Sequence, residues 1–117
     1  MGVDLRLLPF DADQGDFAYS HTILELGQNY DLHKQIKELN SMPVPLGFTS
    51  FSGRVNGFSG TAYGKTTVTP YGEPMKFVLA DDLCGIKLSE DAPYIEQAIW
   101  AYLKCLPPHT KVALYWH

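Results

Sequence analysis

Ala92–His117 reads APYIEQAIWAYLKCLPPHTKVALYWH, and its two halves follow different periods. In the first half Ile95, Ile99, Tyr102, Leu103 and Leu106 recur at the spacing of one helix face, which predicts a helix from about Ala92 to Leu106. Ser89 or Asp91 is placed to cap it, and Pro107-Pro108 must end it. In the second half Val112, Leu114 and Trp116 alternate with Lys111, Ala113 and Tyr115, the period of a strand. Trp100 falls off the helical stripe, which marks it as a candidate surface residue.

The same two periods recur toward the N-terminus. Val3, Leu5 and Leu7 alternate with Asp4, Arg6 and Leu8 and predict a first strand ending at Pro9. After the turn DADQGD (11–16), FAYSHTILEL (17–26) alternates as a second strand, antiparallel to the first. Asn29 can cap a helix that places Leu32, Ile36 and Leu39 on one side and turns Lys34, Lys37 and Glu38 to water, with NSMPVP (40–45) as its end. In the middle, Asn56-Gly57 carries the residues a type I′ hairpin turn requires, flanked by Phe51 and Val55 on one side and Phe58 and Ala62 on the other. A second turn, PYGEP (70–74), separates KTTVT from MKFVLA, and Asp81 or Asp82 starts a short helical turn that Gly85 stops. The expected architecture is α+β: a single compact domain over 1–117, with an antiparallel or mixed β-sheet and two helices packed on one face.

Composition narrows the partners. With 45% hydrophobic residues in 117 the chain can bury one core, and no internal repeat divides it. A net charge of −4 with scattered Lys and Arg excludes the basic footprint that duplex nucleic acid demands. No apolar stretch approaches a membrane span and MGVDLRLLPF has no basic leader, so the expectation is a cytoplasmic, non-membrane protein in which Cys84 and Cys105 are buried thiols. Arg6 stands where a myristoylation signal would have Ser or Thr.

The stretch GFSGTAYGKT (57–66) resembles a phosphate-binding loop only in outline. Ser59 occupies the position of the first glycine, and the β-branched residues and prolines after Lys65 cannot start the helix whose positive end would face the anion. An NTPase is excluded. The acidic turn Asp11, Asp13, Asp16 lacks the glycine position and the final glutamate of a calcium loop, and no histidine has the spacing of a zinc pair, so no metal and no cofactor are expected.

Two constellations remain. Arg54, Asn56, Gly60, Tyr63, Lys65 and Tyr71 combine fixed positive charge, flat aromatic rings and glycine backbone amides that a ligand can approach, the chemistry for holding a phosphate-bearing nucleotide without catalysis. A plain twisted hairpin accounts for the same residues. His21 is a candidate general base if the hairpin brings Asp11 or Asp13 to it; alternation puts Ser20 on the opposite strand face, which excludes a Ser20–His21 nucleophile pair.

The opening MGVDLRLLPFD and the ending LPPHTKVALYWH resemble the ends of small uncharacterised accessory proteins encoded by bacterial viruses and prophages. The resemblance implies a short viral (phage) accessory protein, a class that includes anti-defence proteins: inhibitors that bind a host defence protein, and sponges that sequester a nucleotide-derived immune signal. It carries no site residues. Three functional expectations follow: such a non-enzymatic binding protein, a small nucleotide hydrolase or phosphodiesterase using His21 with Asp11 or Asp13, and an assembly protein whose Trp100 and Trp116 form a homo-oligomer surface.

Overall fold

A computed structural model describes residues 3–14, 17–19, 22–45, 47–54, 61–65, 68–69 and 71–117, with 11–14, 17–19, 47–54 and 61–65 described by their backbone. The elements in chain order are β1 (Leu5–Gln14), β2 (Phe17–Tyr19), β3 (Leu24–Gly27), α1 (Tyr30–Lys37), β4 (Met42–Pro43), β5 (Gly47–Arg54), β6 (Thr61–Lys65), β7 (Lys76–Leu79), α2 (Ala80–Cys84), α3 (Tyr94–Cys105) and β8 (Lys111–Trp116).

The spine is the antiparallel pair β1–β8, in register from Leu5↔Trp116 to Phe10↔Lys111. On its flanks β7 pairs with β8 and β4 with β7, while β3 pairs with the first residues of β1, making an antiparallel five-strand sheet. Beyond Phe10, β1 continues to Gln14 and pairs with β2 (Asp11↔Tyr19), so Asp11 and Asp13 of the expected acidic turn are strand residues, while Asp16 lies outside the described residues. There β2 runs parallel to β5, and β5 pairs with β6 antiparallel across 55–60, which makes the whole sheet mixed.

Strand alternation divides the core into two. On one face Leu5, Leu7, Val78, Val112 and Leu114 are buried against Leu32 and Ile36 of α1, Leu83 of α2 and Ile99, Trp100 and Leu103 of α3. Each such side chain contributes about 1.5–3 kcal/mol by leaving water. On the other face Leu8, Phe10 and Ala113 are buried with Val44 and Met75. The architecture is α+β in a compact domain, with α1, the five-residue α2 and α3 all on the first face.

Several local expectations are met. Asn29 caps α1, its side chain accepting from the Leu32 N–H at 3.1 Å, and Gly85 follows α2 as its C-cap. Others need correction. The second strand is two strands, β2 and β3, both antiparallel to β1. Among the described residues, the pairing across PYGEP is the bridge Val68↔Pro74, and β7 takes β8 and β4 as its neighbours. Ser89 and Asp91 do not cap α3: Pro93 occupies the cap position, and the Ser89 hydroxyl accepts from Asp91 N–H in the preceding turn.

The phase of α3 is the largest correction. Its buried residues are Glu96, Ile99, Trp100 and Leu103, while Ile95 and Tyr102 are exposed. Trp100 is 3% exposed and its Nε1 donates to the Ile86 carbonyl at 3.1 Å, so it belongs to the core and to no oligomer surface. Cys105 is exposed, against the expectation of two buried thiols; Cys84 is partly buried, and that burial pushes its thiol above the ordinary value of 9.0.

Candidate functional site

Residues 68–69 and 71–74 are drawn together through one residue. Buried Thr69 donates its N–H to the Glu73 carbonyl (2.8 Å), accepts from Gly72 N–H (2.9 Å), and receives Glu73 N–H on its hydroxyl (3.3 Å). Gly72 has φ of +81°, a conformation that favours glycine, and the turn leaves Tyr71 57% exposed at its tip.

Tyr71 stands over a groove of about 530 Å³ that runs between α1 and the β7–β8 side of the sheet. Ile36, Leu114 and Trp116 give it an apolar lining, and Lys37, Lys76 and Glu73 are its charged residues. The Lys37 ammonium lies 4.9 Å from the Trp116 ring centroid, close enough for a cation–π contact. Past Val3 and Lys37, which line both, a second hollow of about 480 Å³ continues along α1 beside Tyr30, His33 and Lys34. Three lysines against one carboxylate give this two-lobed groove a positive balance in a chain of net charge −4. Lys34 and Lys37 also lie in the last turn of α1, where they offset the negative end of its dipole.

His33 is 7% exposed, with its ring edge-on to Trp116 at 5.2 Å and hydrogen-bonded to the Gly27 backbone. Its Nε2 has no partner among the described residues. Burial is the main cause holding its pKa below the ordinary 6.5, and the Lys37 charge acts in the same direction. A base whose folded pKa is lowered is neutral in the fold and takes up a proton more readily when unfolded. Stability is therefore present in full above about pH 6.5 and declines as the pH falls toward the depressed folded value. His33→Asn, which keeps a donor near Gly27, should flatten that part of the Tm-against-pH curve; a wild-type and variant pair falling in parallel between pH 7 and 5 would refute the assignment.

A separate cluster ties three strands together on the face of Leu8 and Ala113. Glu25 receives Arg6 Nε at 2.7 Å and His117 Nε2 at 2.9 Å, and Asp4 exchanges backbone hydrogen bonds with His117 at 2.8 and 2.9 Å. The ligand atoms of Asp4, Glu25 and His117 lie within 4.8 Å of one another, a grouping hidden in sequence by separations of tens of residues. Arg6 already supplies the cation there, and the Arg6–Glu25 pair joins directly opposed residues of β1 and β3. This is the geometry of a cross-strand ion pair, worth about 0.2–1 kcal/mol at a surface.

Of the residues singled out in the sequence, Tyr71 lines the groove. Arg54 ends β5 opposite Thr61, and Tyr63 and Lys65 lie on β6 opposite Phe51 and Thr49. The strand order β7-β8-β1-β2-β5-β6 sets three strands between β7, which follows the Tyr71 turn, and β5. Asn56, Gly60 and His21 lie outside the described residues. Asp11 pairs with Tyr19 across β1–β2. Lys37 and Lys76 were missed, and Trp116 was singled out only for an oligomer surface, because the three are far apart in the chain and meet only through the β7–β8 pairing and the packing of α1.

No protein-family model, no curated protein and no solved structure matches this chain. Among the described residues, no helix is long and apolar enough to cross a membrane.

Proposed function

We propose that the protein is a non-enzymatic binding protein that captures a small anionic, ring-bearing ligand of nucleotide type in the two-lobed groove, and that it serves a phage-type role by sequestering a nucleotide-derived immune signal. The observation that carries the reading is the convergence of Tyr71, Trp116, Lys37 and Lys76 on one hollow. Flat rings offer stacking surfaces worth about 1–3 kcal/mol per base, and lysines pair with phosphate as mobile point charges. A volume of about 530 Å³ falls within the range of small-molecule sites. His33 and Ser41 line different lobes, and the unpartnered His33 Nε2 leaves Ser41 without that ring as a base. This favours capture over turnover.

The test is a calorimetric titration with linear and cyclic mono-, di- and trinucleotides. Lys37→Glu with Lys76→Glu removes two charge-assisted contacts of about 1.5–3 kcal/mol each and should weaken binding by about 100-fold or more, a loss read at temperatures below the modest Tm drop that follows from losing the Lys37–Trp116 contact and the Lys37 charge at the end of α1. Tyr71→Ala alone should cost roughly tenfold. No binding by any nucleotide would reject the reading and direct attention to a protein partner; release of a hydrolysis product that His21→Ala abolishes would replace it with the hydrolase.

A further inference from the structure

The outward side of α3 is built unlike a solvated helix face. Tyr94, Ile95, Ala98, Ala101, Tyr102 and Cys105 are all exposed, with Tyr94 at 91%, Ile95 at 58% and Tyr102 at 39%. The exposed polar residues within the helix are Gln97 and Lys104, and Gln97 is bound back to the Ala92 carbonyl at 2.7 Å. A helix whose opposite face already fills the core normally turns charge to water. Here it turns a second apolar stripe. Positions 94, 98, 101 and 105 are separated by four, three and four residues, and positions 95, 98, 102 and 105 by three, four and three, the spacings of a helix–helix seam. Ala98 and Ala101 at the middle of the first row let a second helix approach to the short end of the usual 8–10 Å, with Tyr94, Ile95 and Tyr102 packing around them.

We propose that this face is the two-fold interface of a homodimer, α3 packing antiparallel on α3 of a second copy. The end charges select that occupant. Glu90 and Asp91 are exposed just before α3 and Lys104 is exposed in its last turn. Two copies laid antiparallel set each Lys104 beside the other copy's acidic pair, and two laid parallel would oppose like charges. The face is therefore complementary to itself about a two-fold axis, as an isologous contact requires. Its size sets the strength. Two tyrosines of about 150–250 Å² each, partly used, with an isoleucine and small residues, give on the order of 500 Å² per chain. The total of about 1,000 Å² is the threshold for a specific interface, so the dimer is a reversible one. This inference does not rest on the ligand-binding reading.

Sedimentation velocity of the full chain, from low micromolar to near-millimolar concentration, should show a monomer–dimer equilibrium. Ala98→Glu, at an exposed position whose melting curve serves as a control for folding, should weaken it by at least tenfold. Lys104→Glu should weaken it, Glu90→Lys with Asp91→Lys should weaken it, and the combination of all three should restore most of the wild-type affinity. A wild-type chain that stays monomeric throughout, a dimer indifferent to Ala98→Glu, or a combination weaker than either charge reversal would each overturn the proposal.

Discussion

Trp100→Ala should cost about 3–5 kcal/mol, the largest stability loss expected from a single substitution outside the strands. Trp100 is 3% exposed, sits in the cluster formed by α3, α2 and the sheet, and donates its indole N–H to the Ile86 carbonyl at 3.1 Å. Truncation opens a cavity that the surrounding Leu and Ile side chains close only in part, and it removes the donor from Ile86. Against a total of about 5–15 kcal/mol for a domain of this kind, that is about a fifth of the whole or more. The midpoint of urea unfolding should drop accordingly, and Tm should fall by on the order of 10 °C or more. Trp100→Phe helps separate the two contributions, because it keeps most of the apolar volume while removing the hydrogen bond. A loss below about 1 kcal/mol for Trp100→Ala would return Trp100 to the surface role that its position off the predicted stripe suggested.

That contrast shows where the sequence was readable. The strand of 111–116 was legible because Lys111, the small Ala113 and the polar-tipped Tyr115 alternate with Val112, Leu114 and Trp116, and only one face of that strand lies under the helices. The start of α1 was legible because Asn29 is a capping residue immediately before a helical spacing. α3 was legible as a helix but not in phase. Apolar residues occupy both its faces, so hydrophobicity alone fits two stripes, and the polar residue that breaks the tie, Glu96, is itself 4% exposed. Pro9 was read as a strand end, yet β1 passes through it. Pro9 lies between Leu7, registered on β3, and Asp11, registered on β2, where its missing N–H interrupts neither pairing.

The groove shows the same division. Tyr71 was visible because PYG is turn chemistry with an aromatic at its tip. Lys37 and Lys76 were not, since each reads locally as an ordinary solvated lysine and acquires meaning only when β7 pairs with β8 and α1 lies across them. His33 had a usable signal: beside Leu32 and one turn before Ile36 it falls within a stripe wider than the one drawn through Leu32, Ile36 and Leu39.

Asn29→Ala should cost about 2–4 kcal/mol, more than the loss of a helix cap, because Asn29 serves two helices at once. Its Oδ1 accepts the Leu32 N–H at 3.1 Å, and its Nδ2 donates to Glu96 Oε1 at 2.9 Å. The cap alone accounts for about 1 kcal/mol. The rest comes from α3, where a carboxylate in the first turn is favoured by the helix dipole but, being buried, loses its side-chain donor. A double-mutant cycle with Glu96→Ala should therefore return a coupling of about 0.5–3 kcal/mol, whereas additive losses would mean the 2.9 Å contact carries no energy of its own. Asn29→Asp should not rescue, since it keeps the cap oxygen but sets a second carboxylate against Glu96. The same substitutions bear on function, because the helix that Asn29 caps presents Tyr30, His33 and Lys34 to the second lobe of the groove. If that lobe holds part of the ligand, Asn29→Ala should weaken nucleotide binding even at temperatures where the fold is intact, and Glu96→Ala, which leaves the cap in place, should weaken it less.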